Sequence, residues 1–228
     1  MGYLMPICKQ KNDLFFKSWS PEMAYVLGFF AADGSMYVNR RGSHYIAFYS
    51  NDKELIVKIR NVLNSNHKIC KRISSGDSVY RYILQIGSKS MFKDLERLGF
   101  LINKSKTVQF PNVPGEFLGD FVRGYFDGDG NILFKNYFRK DRGKYKNYFA
   151  IKFISGSRDF LTGLRARLKS DFGLGEGSLY EGSRSFVLSY ATKNSKRLCA
   201  FMYNAVENNL FLERKYSIYK DFIDTTGP

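Results

Sequence analysis

The sequence predicts an α+β protein built from two pseudo-symmetric αββαββα halves, and three observations carry that prediction. An apolar ten-residue stretch closed by Asp-Gly occurs twice, as Tyr25–Gly34 and as Phe121–Gly130, aligned without a gap and with Asp33 and Asp129 96 residues apart. Each copy is followed by the same order of strand-like and helix-like periodicities. The segment Ile59-Arg60-Asn61-Val62-Leu63 recurs as Leu164-Arg165-Ala166-Arg167-Leu168, 105 residues on, so the duplication reaches well beyond the motif.

In chain order, residues 1–19 lack a clear period and carry Lys9, Lys11 and Lys17, which reads as a basic arm. Ser20-Pro21-Glu22 is a helix start, with serine as N-cap and proline in the first turn, and the helix runs to about Ala32. Strands follow over Ser35–Val38 and His44–Ser50 around the turn Asn39–Gly42, then a helix over Asp52–Leu63 with Leu55, Ile56 and Ile59 on its apolar side. Ile69–Ile73 and Val79–Ile86 make a hairpin around Ser74–Asp77, and Ser90–Leu98 is a closing helix. Pro111, Pro114 and Gly115 form the densest cluster of chain breakers, so the first unit spans 20–110, a linker 111–116 and the second unit 117–228. That second unit repeats the order: helix Phe117–Gly128, strands Asn131–Phe138 and Tyr148–Ser155, helix Arg158–Phe172, hairpin Ser178–Tyr180 with Ser185–Ala191, and helix Ser195–Asn204. The extra length of the second unit falls in the loop Asn136–Asn147.

Within each motif small residues stand four apart, Gly28 with Ala32 and Gly124 with Gly128, a spacing that lets two helix backbones approach closely. The glycine after each aspartate is expected to end its helix in the left-handed conformation. Helices packed side by side bring Asp33 and Asp129 together at helix C-termini, where the dipole is already negative, so protonation or a bound cation must relieve the repulsion. Carboxylates and helix-end carbonyls suit a hard divalent ion such as Mg²⁺. Strand alternation separates a core set (Tyr82, Leu84 and Ile86; Phe186, Leu188 and Tyr190) from an outer set. The outer set includes Asn39, Ala47, Arg81 and Gln85 in the first unit and Lys135, Lys152 and Ser189 in the second. A twisted antiparallel ribbon fits the major groove, where such side chains can read base edges. Arg41, Arg72 and Arg184 join this candidate contact set, and Arg139, Lys140 and Arg142 in the long loop are candidates for phosphate.

The two motifs, Val26–Gly34 and Val122–Gly130, resemble the LAGLIDADG motif of homing endonucleases, in the single-chain branch that carries two copies. The resemblance implies two antiparallel sheets forming a DNA-binding saddle around a central motif-helix pair. It makes Asp33 and Asp129 the catalytic, metal-binding acids, one per strand, with the carbonyls of Ala32 and Gly128 as further ligands. The implied ion is Mg²⁺, with Mn²⁺ or Ca²⁺ able to substitute in binding. The family also places a lysine after the last helix of each half, which points to Lys104 and Lys215, with Lys106 next. Ser50 and Ser155 stand where many relatives carry a water-ordering glutamine. The sixth motif letter is Asp127 in the second copy but Ala31 in the first. The implied activity is site-specific cleavage of duplex DNA in the service of intron homing; the alternative is an intron maturase or a non-cleaving DNA-binding protein of the same fold.

Composition agrees. With 36 Lys and Arg against 21 Asp and Glu the net charge is +15, which favours a polyanionic partner. No apolar run of membrane-spanning length or signal peptide is evident. Three cysteines without CxxC spacing fit an intracellular compartment, cytoplasm, nucleoid or organelle matrix, rather than secretion. Only two histidines argue against a histidine-based nuclease. The expected assembly is a monomer on a long, asymmetric DNA target.

Overall fold

The computed structural model describes residues 9–73, 80–102, 107–203, 206 and 209–226. The turn read at Ser74–Asp77, Lys104, Lys106 and Cys8 lie outside them. The first half comprises α1 (Pro21–Asp33), β1 (Gly34–Val38), β2 (His44–Ser50), α2 (Lys53–Val62), β3 (Ile69–Ile73), β4 (Tyr80–Gly87) and α3 (Lys89–Arg97). The second comprises α4 (Leu118–Asp129), β5 (Gly130–Arg139), β6 (Lys144–Ser155), α5 (Arg158–Phe172), β7 (Ser178–Glu181), β8 (Phe186–Ala191) and α6 (Thr192–Tyr203), followed by α7 (Glu213–Thr226). The strands form two antiparallel four-stranded sheets of matching order, β1-β2-β4-β3 and β5-β6-β8-β7.

Local chemistry sets the helix starts. The Ser20 hydroxyl accepts the amide of Met23 at 3.1 Å, Asp52 that of Glu54 at 3.0 Å, Ser88 that of Met91 and Ser157 that of Phe160, both at 3.2 Å. Each sheet turns one face to the core, where Met36, Ile46, Phe48, Leu84 and Ile86 in the first correspond to Ile132, Phe149, Ile151, Phe153, Leu188 and Tyr190 in the second. Helices α1 and α4 lie between the two sheets as a central pair, nearly wholly buried through their middle turns.

Three expectations are corrected. Gly34 and Gly130 are extended, with φ of −104° and −92°, not left-handed. The chain passes straight from helix into strand, and glycine is needed for room: a Cβ would stand 2.2 Å from a ring carbon of Phe30 at Gly34 and of Phe126 at Gly130. The stretch Asn136–Asn147 is a β-hairpin arm rather than a loop, its pairing continuing from Lys135↔Tyr148 to Arg139↔Lys144 and closing over Lys140–Arg142 with left-handed Gly143. A cross-strand Phe138–Tyr145 contact, 5.2 Å between ring centres, supports it. Finally, α7 continues past the predicted end of structure, with Phe222 stacked on Phe149 at 4.1 Å.

Candidate active site

The small residues do the packing their spacing predicts. A Cβ on Gly28 would stand 2.0 Å from the carbonyl oxygen of Phe121, and one on Gly124 2.0 Å from that of Tyr25, the equivalent atom of the other motif. At the far end of the pair, a Cβ on Gly128 would meet the Ala32 Cβ at 2.5 Å and an Asp33 carboxylate oxygen at 3.2 Å. The acid of one motif therefore adjoins the helix end that presents the acid of the other. Tyr125, buried nearby, donates its hydroxyl to the Ile154 carbonyl at 2.7 Å, and burial raises its pKa, with Asp129 and Asp33 adding to the rise.

Lys215 is brought to this place by α7. It stands in the first turn of that helix, not beyond the last helix as expected, because the chain folds back after α6 and lays residues 210–215 along α4. Only 3% exposed, its ammonium donates to the carbonyls of Phe126 and Asp127. Burial pulls its pKa down to about 8, opposed by the negative charge of Asp127 and, more weakly, of Asp129 and Asp33. It thus sets a cation on the negative end of α4.

Three further polar residues line the buried side of α4. Asp127 accepts hydrogen bonds from the Tyr25 hydroxyl at 2.7 Å and the Leu212 amide at 2.8 Å, and burial pushes its pKa up to about 6 against those bonds and Lys215. Arg123 donates to Asp120, to the Met202 carbonyl and to the Leu210 carbonyl. In the sequence Asp127 stands out only as a motif letter, and Tyr25, Asp120 and Arg123 are not among the candidate site residues. The signal was there: charges within or just before an apolar motif, at positions where the first helix has Ala24, Leu27 and Ala31.

The donors fit a hard divalent ion. Among the described residues no group of three or more His, Cys, Asp and Glu could hold a metal. The Asp33 carboxylate at the Gly128 end of the other helix, beside helix-end carbonyls whose intrahelical partners run out, offers the oxygen donors that suit a hard divalent ion. The hydroxyls of Ser50 and Ser155 accept the amides of Asp52 at 3.0 Å and Ser157 at 3.1 Å.

Register places the remaining candidates. On the first sheet Arg72 and Arg81 are exposed and directly opposite each other, on the same face as exposed Gln85. Tyr37, Tyr45 and Tyr49 share that face, with Tyr37 stacked on Tyr45 at 5.1 Å and Tyr49 hydrogen-bonded to Ser35 at 3.0 Å; Ala47 between them is buried rather than available for contact. Asn39 is not on the strand face. Its side chain accepts the amides of Arg41 and Ser43, both at 2.9 Å, and builds the turn, leaving exposed Arg41 at the tip. On the second sheet Lys152 pairs with Asn131 and Ser189, and the same face carries Lys135, Arg139, Lys144 and Lys146 along the arm. Arg139 is bound to Asp141, with Arg142 3.8 Å from the same carboxylate, while Lys140 is exposed in the arm's turn and Arg184 in the β7–β8 turn. No helix among the described residues is long and apolar enough to cross a membrane.

Residues 20–99 match the family model of the LAGLIDADG-like domain. An uncharacterised protein of Methanocaldococcus jannaschii is 28% identical over 135 residues, which are 55% of this chain and 46% of that protein, so the match spans about half the length of that relative. Among solved structures, the I-AabMI LAGLIDADG meganuclease bound to uncleaved DNA superposes with a TM-score of 0.60 over 91% of this chain and 90% of that one, at 13% identity. The I-LtrWI LAGLIDADG homing endonuclease bound to target DNA gives 0.60 over 94% and 91%, also at 13% identity. By sequence residues 20–99 match a LAGLIDADG-like domain, and the fold of the whole chain is similar to that of the LAGLIDADG meganucleases and homing endonucleases.

Proposed function

We propose that the protein is a site-specific endonuclease that cuts both strands of duplex DNA with divalent metal ions, Mg²⁺ by preference. The observation that carries this reading is the approach of Asp33 to the end of the other motif helix at Gly128, which brings the acid-bearing ends of the two motif helices together. Asp33 and Asp129, with the carbonyls of Ala32 and Gly128, would hold the ions against the two scissile phosphates. A bound divalent ion supplies an activated water and a counter-charge for the leaving oxygen. Lys215 holds positive charge beside the second acid without itself being free to leave the helix end. Lys104 is proposed for the matching place in the first half.

The outer sheet faces would bind the DNA. Arg72 and Arg81, facing each other across a strand pair, repel, and a phosphate backbone relieves this. Arg72, Arg81, Gln85, Lys152 and Ser189 are the proposed base- and backbone-contacting set on the strands. Selection of cleaved sequences from a randomised duplex library in Mg²⁺ is the direct test, and an enriched, long, asymmetric site is expected. Asp33→Asn and Asp129→Asn should each abolish double-strand cleavage of that site while leaving its binding intact, read by gel shift. Full double-strand cutting by either variant would refute the assignment of the acids.

A further inference from the structure

The polar cluster beside the second acid has no equivalent in the first copy of the motif. Asp120, Arg123 and Asp127 stand where the first helix has Ala24, Leu27 and Ala31, and the Tyr25 that bonds Asp127 stands where the second helix has Phe121. The hydrogen bond between the halves therefore runs in one direction only, because Phe121 and Ala31 have no polar side-chain atom to form its mirror image. Asp127 also accepts the Leu212 amide, and three residues on Lys215 donates to the carbonyls of Phe126 and Asp127. Together these bonds fasten residues 212–215 to the last turn of α4, directly before Gly128 and Asp129. The second carboxylate oxygen of Asp127 is buried without a hydrogen-bond partner. A half-satisfied buried acid costs stability that an apolar side chain would not, so stability alone does not explain it.

We propose that Tyr25 and Asp127 are positioning residues for the second centre alone, fixing Lys215 and the final turn of α4 so that Asp129 is aimed, and that the two strands are consequently cut by centres of unequal construction. The inference rests on the endonuclease reading above. A residue of the first half thereby completes the centre carried by the second.

The test is strand-resolved cleavage of a supercoiled plasmid bearing the selected target, with Tyr25→Phe, Asp127→Ala and Asp127→Asn. Outer-sphere partners of this kind are worth about 10–100-fold, so Tyr25→Phe and Asp127→Ala should slow one strand by that order, leave the other unchanged and make nicked circles accumulate. Asp127→Asn, which keeps an acceptor for Tyr25 and Leu212, should recover much of the loss. Tyr25→Phe removes a single hydroxyl from the core and keeps the test valid where Asp127→Ala fails to fold. As a readout apart from turnover, Mn²⁺ titration of the protein on phosphorothioate target, followed by paramagnetic resonance, should show one ion weakened by about tenfold and the other unaltered. Equal slowing of both strands, equal weakening of both ions, or no effect would overturn the proposal. A wild-type protein that cuts no DNA would instead overturn the endonuclease reading on which it stands.

Discussion

A methyl group at Gly28 or Gly124 would stand 2.0 Å from a carbonyl oxygen of the facing helix, an atom that cannot move without moving its own helix. Overpacking of a rigid core costs about 1–3 kcal/mol and more where backbone is struck. Gly124→Ala should accordingly lower the melting temperature by roughly 10 °C, taking about 2–4 °C per kcal/mol for a chain of this size. Gly115→Ala, whose Cβ would have nothing closer than 4.0 Å, is the control and should melt like the wild type. At this scale the sequence was informative about spacing but not about conformation. Gly34 and Gly130 read as left-handed helix ends, whereas the structure uses them for clearance under Phe30 and Phe126, a demand visible only once the ring has been placed.

Among the elements, the hairpin arm of β5 and β6 changes the expected division of labour. As a loop, its cations would be interchangeable. As a paired ribbon, it fixes Lys135, Lys144 and Lys146 on the face that continues to Lys152, while Arg139 is held by Asp141. Each phosphate neutralised adds about 0.9 to the slope of log affinity against log salt, so changing Lys135, Lys144 and Lys146 together to Ala should flatten that slope by about 2 to 3 and weaken all sequences alike. Fluorescence anisotropy over a salt series, on target and scrambled duplexes, measures both quantities. A changed base preference with an unchanged slope would mean that the arm reads bases instead. The end of the chain illustrates the opposite difficulty: α7 carries Tyr216, Ile218, Tyr219 and Phe222 toward the core, yet nothing near it in sequence marks the β5–β6 surface it covers.

For the whole molecule, the halves agree in topology and differ in their outer faces. The first presents tyrosines with Arg72, Arg81 and Gln85; the second presents lysines continuing along the arm. Two unlike faces around one helix pair should bind an asymmetric target as a monomer, since each motif helix already has its partner within the chain. Sedimentation equilibrium at micromolar protein should give a mass near 26.4 kDa, and the selected site should lack a palindrome. A homodimer, or a strictly palindromic site, would contradict this.

The sequence by itself determined the duplication, the helix starts at Pro21, Lys53 and Arg158 and the alternation of the strands, because each of these is written in local spacing and in residues that recur about 100 positions apart. Only the tertiary structure decided which polar residues work together. Tyr25 and Asp127 are separated by 102 residues, Leu212 and Asp127 by 85, and Lys215 and the Phe126 carbonyl by 89. No periodicity relates such partners. They meet because α1 packs on α4 and the chain after α6 folds back along it, and a buried charge takes its pKa and its role from whatever that folding sets beside it.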